Sequence, residues 1–218
     1  MDVHASEKEQ IEQLRKWWKE NGTSLVTGVL LGLSVLLGVK AWFGYQDSQA
    51  ANASNLYAQM MAELSSQQNE QVRSHANDII GNYSGTGYAP LAALALARLA
   101  VDEADPASAQ IQLEWALDHA DSDEIRHLAR LRLVRVLIDQ KDWTGAAARL
   151  AEAGDAGAYR YLYDELRGDL ALAQGDAAAA RAAYKAALEA MPPQSPASGF
   201  LTTKYENVAL AGGEDDSQ

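Results

Sequence analysis

An all-α chain, with one apolar helix ahead of a stack of helical hairpins, is predicted by three features of these 218 residues. Asn21 to Val39 runs for 19 residues without a charge. From Asp47 onward, small residues, turns and helix stops recur with a period of about 34. The chain is rich in alanine and leucine, with only five prolines and two phenylalanines, which favours helices over a β-sandwich.

Charge divides the chain. From Met1 to Gln46, Lys8, Arg15, Lys16, Lys19 and Lys40 balance Asp2, Glu7, Glu9, Glu12 and Glu20. The net charge of −12 therefore lies wholly beyond that point, and so acidic a part repels phosphates and excludes a nucleic-acid partner. The absence of cysteine removes disulfides, thiol catalysis and cysteine-based zinc sites.

Residues 1–23 read as a cytoplasmic amphipathic segment. Ser6 and Glu9 form a capping box, and Ile11, Leu14 and Trp18 share a face. This helix either lies on the membrane surface or continues into the span. Residues 24–45 read as a transmembrane anchor, since about 20 apolar residues cross the hydrocarbon as a helix. Trp17 and Trp18 precede the run, and Trp42, Phe43 and Tyr45 follow it, as aromatic residues do at the two interfaces. Ala51-Asn52-Ala53 has the composition of a signal-peptidase site but lies too far past the run, so the anchor is expected to stay. Four basic residues precede Ser24, whereas only Lys40 appears between the run and Arg73. The N-terminus is therefore expected in the cytoplasm and the remainder outside, in the periplasm of a Gram-negative cell. Gly28, Gly32, Ser34 and Gly38 repeat a small-xxx-small spacing and are candidate contacts for a second membrane helix; glycine is also common in such helices for no specific reason.

Residues 46–210 form the soluble domain. In Leu166 to Pro192, Gly168, Gly175, Ala180, Tyr184, Ala187 and Pro192 fall at tetratricopeptide (TPR) spacings. Gly168 admits a close neighbour, Gly175-Asp176 turns the chain, the alanines sit at helix crossings, and Pro192 stops the helix. Asp142, Ala146, Leu150 and Ala153 repeat the pattern 34 residues earlier, and Asp105, Ala109, Leu113 and Ala116 repeat it 37 earlier still. Three hairpins follow, near 89–120, 123–154 and 158–191. A degenerate fourth lies in 56–64 and 72–80, and a capping helix after Ser195-Pro196 buries Leu201, Tyr205 and Val208. The predicted fold is thus a TPR-like α-solenoid of three to four hairpins; stacked helices without TPR geometry are the alternative. Residues 211–218 form an acidic tail.

Such a stack presents a concave face made by the first helix of each hairpin. The register places Leu94, Arg98 and Asp102, then Leu131, Arg135 and Asp139, then Glu165, Asp169 and Leu172 on that face, as a candidate partner-binding groove. The blander reading is that arginine and aspartate one turn apart merely pair on a solvated face. No catalytic, metal or cofactor motif emerges. His4, His75, His119 and His127 lack ligand spacing, Gly81 to Gly87 has no phosphate-loop lysine, and Met60-Met61 reads as core filling. The chain reads as a binding module rather than an enzyme, with a self-associating scaffold in envelope assembly as the alternative.

The order of anchor then repeats, together with WWKENGTSLVTGVLLG, ALALARLAVDEAD, RLRLVRVLIDQ and DELRGDLALAQGD, resembles the YfgM family, ancillary subunits of the SecYEG translocon. The resemblance covers nearly the whole chain. It implies a single-pass inner-membrane protein that associates with the translocon and with a PpiD-like membrane-anchored chaperone, and helps exported polypeptides pass to periplasmic chaperones. It also implies a regulatory role for the cytoplasmic segment, and it carries over no catalytic residue.

Overall fold

The computed structural model describes residues 3–213, and the side chains of 9–208. Among these there are nine α-helices, one 3-10 turn and no strand. The chain divides into two units, Met1–Ala51 and Asn52–Gln218.

The first unit is helical throughout. Helix α1 spans Val3–Ser65, supplying this unit and the opening helix of the second. No proline occurs before Pro90, and the backbone passes through Asn21-Gly22 without a break. The helix is already under way at Val3, so Ser6 does not start it, and the side chain of Ser6 lies outside the described residues. The polar groups of the apolar stretch turn back on the helix. Thr27 Oγ1 donates to the Thr23 carbonyl and Ser34 Oγ to the Leu30 carbonyl, both at 2.8 Å. Such bonds satisfy hydroxyls where no water is available. The apolar side chains point outward, with Leu31 at 64 % and Leu36 and Leu37 at 67 % exposure. This helix is long and apolar enough to cross a membrane. Gly28, Gly32 and Gly38 have open space where a Cβ would stand.

The second unit is a run of antiparallel hairpins. The end of α1 pairs with α2 (Asn69–Asn82), α3 (Tyr88–Asp102) with α4 (Pro106–His119), and α5 (Asp123–Asp139) with α6 (Trp143–Ala151). After a 3-10 turn at Gly157–Tyr159, α7 (Arg160–Ala173) pairs with α8 (Ala177–Ala190), and α9 (Ser198–Gly213) closes the stack.

One local structure makes every hairpin turn. Gln67, Ala104, Lys141 and Gly175 all adopt left-handed backbone, at φ 58°, 59°, 62° and 83°. The next residue donates its N–H to a carbonyl five positions back: Gln68 to Glu63, Asp105 to Ala100, Asp142 to Leu137 and Asp176 to Ala171, at 2.8–3.0 Å. This is the closing bond of a Schellman motif. At the last three turns that same residue is an aspartate that caps the following helix, accepting from Ser108, Gly145 and Ala179 N–H at 3.1, 2.9 and 2.9 Å. The repeated aspartates of the sequence are therefore helix caps, each one residue after a left-handed stop.

The remaining repeat positions are core. Ala109, Ala146 and Ala180 are fully buried, as are Ala116 and Ala187, with Ala153 at 8 %. Leu113, Leu150 and Tyr184 fill the equivalent space in successive hairpins. The alanines bring helix pairs close enough for those larger side chains to bury, each contributing about 1.5–3 kcal/mol. A methyl group at Gly168 would lie 2.4 Å from the Tyr184 ring, so this glycine is what admits the tyrosine. Met60 packs into one core cluster with Val72, Ile79 and Leu96, whereas Met61 is exposed. In α9, Leu201 and Val208 are buried against α8 and Tyr205 is half-buried.

Candidate partner-binding groove

The first helices of successive hairpins line three clefts in a row. Tyr57, Met61 and Leu64 of α1, Leu91, Leu94 and Arg98 of α3, and Leu128 and Arg132 of α5 bound the first. The second, of about 290 Å³, is floored by Ala97, Val101, Leu113 and Val136 and edged by Arg98, Arg132, Arg135 and Asp139. The third, of about 440 Å³, lies between Arg135, Ile138 and Asp139 of α5 and Leu166, Asp169 and Leu172 of α7. Arg98 and Arg132 border the first and second clefts, and Arg135 and Asp139 the second and third. Six of the nine groove residues read from the sequence thus border these clefts: Arg98, Arg135, Asp139, Asp169 and Leu172, with Leu94, 4 % exposed and part of the core, beneath the first.

The other three go elsewhere. Leu131 is 3 % exposed and belongs to the central core, because an apolar residue on a helix flanked by two neighbours is drawn inward. Glu165 is 8 % exposed and is held by Lys204 of α9, whose Nζ lies 2.7 Å from Glu165 Oε1 and 2.7 and 2.8 Å from the two Asp169 oxygens. Asp102 borders none of the three clefts; its carboxylate accepts from Arg98 Nε at 3.2 Å across one helical turn. Both partners are mostly exposed, so this pair contributes little.

Lys204 makes α9 more than an apolar lid. Asp169 also accepts from the Tyr184 hydroxyl at 2.7 Å, and the Lys204 ammonium lies 4.9 Å from the Phe200 ring centroid. Burial, followed by the adjoining Asp169 carboxylate, pushes the Tyr184 hydroxyl far above its ordinary pKa, so it stays a donor. Three helices are tied at one point by groups that need one another to remain out of water.

Arg132 is the residue the repeat register misses. It borders two clefts, yet neither Arg132 nor Arg135 makes an ion pair or side-chain hydrogen bond among the described residues. Its guanidinium pKa is lowered by burial and then by the charges of Arg98 and Arg135. The signal available was the run RLRLVR, which sets Arg132 three positions before Arg135 and so on the adjoining row of the same helix face.

Three histidines pair with or stack on neighbouring side chains, and the side chain of His4 lies outside the described residues. His75 meets Glu63 at 2.7 Å, and His119 stacks on Trp115 at 3.9 Å. His127 Nδ1 meets the Tyr163 hydroxyl at 2.8 Å and its ring stacks on Tyr159.

Residues 15–210 match the family described as a tetratricopeptide repeat-like domain. Over 189 residues, 86% of this chain and 91% of the relative, the sequence is 30% identical to the ancillary SecYEG translocon subunit of Haemophilus influenzae. The chain belongs to the YfgM family of ancillary SecYEG translocon subunits. The protein of that name from Escherichia coli is 28% identical over 211 residues, which are 96% of this chain and all of the relative. The one from Neisseria gonorrhoeae is 25% identical across 95% of this chain. In this YfgM-family chain the family match begins ahead of the apolar run and ends within α9, so it takes in the long helix as well as the repeats.

Proposed function

We propose that this chain is an inner-membrane-anchored binding module that associates with the SecYEG translocon. The supporting observation is a translocon-subunit likeness extending over 96% of the chain, apolar helix and repeat stack together. In this reading residues 24–45 cross the membrane once, residues 1–23 stay in the cytoplasm and residues 46–210 stand in the periplasm. The repeats work by presenting side chains, without a catalytic step. The groove of Arg98, Arg135, Asp139, Asp169 and Leu172 takes a segment of a partner, either a PpiD-like membrane-anchored chaperone or an exported polypeptide on its way to periplasmic chaperones. Gly28, Gly32, Ser34 and Gly38 offer a notched face to a translocon helix, because small residues let two backbones approach closely in lipid.

A mild-detergent pull-down of the tagged full-length chain tests this. Translocon subunits are expected to co-purify, and the yield is expected to drop when Gly28 and Gly32 are replaced by leucine. Recovery of the tagged chain with no envelope partner would remove the proposal. Recovery as a stable oligomer of itself alone would favour a self-associating scaffold.

A further inference from the structure

The middle of the groove carries a charge opposite to that of the domain around it. From Asp47 onward there are 25 acidic and 13 basic residues. Three of those basic residues, Arg98, Arg132 and Arg135, converge on the second cleft, against the single carboxylate of Asp139. Arg98 already has Asp102, while Arg132 and Arg135 make no ion pair among the described residues, Asp139 being the one carboxylate that edges the cleft beside them. Like charges gathered beside one another raise one another's energy; the Arg132 guanidinium pKa is lowered first by burial and then by the charges of Arg98 and Arg135. Between them the floor is apolar: Ala97, Val101, Leu113 and Val136. A planar guanidinium suits a carboxylate, which it grips with two parallel hydrogen bonds, and binding a carboxylate here relieves the repulsion among the arginines.

We infer that the cleft between α3 and α5 recognises an acidic–apolar peptide segment of a partner, with a carboxylate held by Arg132 and Arg135 and a neighbouring apolar side chain set on Ala97, Val101 and Val136. This rests on the groove reading of the proposed function and names the chemistry it selects. Charge complementarity identifies the occupant. An acidic segment is repelled by the net charge of the domain and attracted by this cluster of three arginines, so the arginines set the docking position as well as the strength. A nucleic acid brings the same negative charge but spreads it along a backbone that the surrounding carboxylates repel.

The test uses the full chain in detergent micelles and a fluorescein-labelled peptide alternating leucine with glutamate, read by fluorescence polarisation. The same peptide with glutamine for every glutamate is the control. The acidic peptide is expected to bind roughly tenfold more tightly than the glutamine peptide, with the difference shrinking as salt rises. Arg132→Gln is expected to remove roughly tenfold in affinity. Because Arg132 is half-buried, Arg135→Glu is measured beside it: an exposed position, expected to lose at least as much while the helical signal is unchanged. Asp139→Asn, which removes the one competing carboxylate, is expected to tighten binding.

Equal affinity for the two peptides, or no loss in Arg135→Glu, would overturn the carboxylate claim and leave the translocon pull-down unaffected. Displacement of the peptide by inorganic phosphate at matching concentration would overturn it too, since it would reveal a simple anion site. If removing residues 214–218 tightens peptide binding by tenfold or more, the occupant is the chain's own Glu214-Asp215-Asp216 and the partner claim fails.

Discussion

Gly168 has no room for a side chain. A Cβ there would stand 2.4 Å from two carbons of the Tyr184 ring, and Tyr184 is itself locked by its bond to Asp169. Gly168→Ala is therefore expected to lower stability by about 1–3 kcal/mol, the range for overpacking, measured as a fall in the thermal midpoint of the full chain in micelles. Lys204→Met removes the cation that Glu165 and Asp169 share. A fully buried pair broken this way costs about 3–5 kcal/mol. Lys204 keeps 22 % of its side chain in water, so the expected loss is about 2 kcal/mol. His127 gives a pH dependence. Burial, then Arg130, lowers its pKa below the ordinary 6.5, with Arg126 adding to this and Asp123 and Glu124 opposing it, while Tyr159 and Tyr163 face the ring. The folded chain then binds fewer protons there than the unfolded chain. The stability from His127 is complete above 6.5 and is lost as pH falls through that value towards the lower folded one. A plot of thermal midpoint against pH is expected to slope downward on acidification from 7 to 5, and less steeply in His127→Gln. The Gly168–Tyr184 fit was legible in the sequence because both residues belong to a periodic pattern. The Lys204 bridge was not, because its partners lie 35 and 39 positions away and no local period links them. Glu165 was placed in the groove for that reason.

Each hairpin turn stores a small strain that glycine relieves at one of four places. Gly175 adopts φ 83° freely, whereas Ala104 and Lys141 hold φ 59° and 62° with a Cβ. Left-handed backbone costs such residues about 1–2 kcal/mol, less what glycine loses in unfolded-chain entropy. Ala104→Gly and Lys141→Gly are each expected to stabilise the chain by about 0.5–1 kcal/mol in denaturant titration, and Asp142→Ala to destabilise it by about 1 kcal/mol through loss of the cap. The hairpin boundaries were readable because the capping aspartates recur at Asp105, Asp142 and Asp176. The degenerate hairpin of 56–64 and 72–80 was faint because its turn, Gln67-Gln68, has no side-chain cap. The start of α1 was misjudged: a capping box at Ser6 is a local signal, and nothing after it, neither proline nor buried turn, stops the helix from running Val3–Ser65.

Across the whole molecule, the repeat register names residues on α3, α5 and α7, and six of the nine border the three clefts. It could not separate Leu131, which turns into the core, from Arg132, which turns to the clefts one position later. A period gives the row of a helix, whereas the neighbours on either side decide which residues of that row stay in solvent. The cleft-bearing face is assembled from α3, α5 and α7 rather than from any single repeat.

The most direct measurement is photo-crosslinking in intact cells. A photoreactive residue replaces Leu172, exposed at the third cleft, in one strain, and Lys185, on α8 and outside the three clefts, in another. Adducts with translocon or periplasmic chaperone subunits are expected from position 172, and few or none from position 185. Adducts from position 185 with none from 172 would contradict the groove reading.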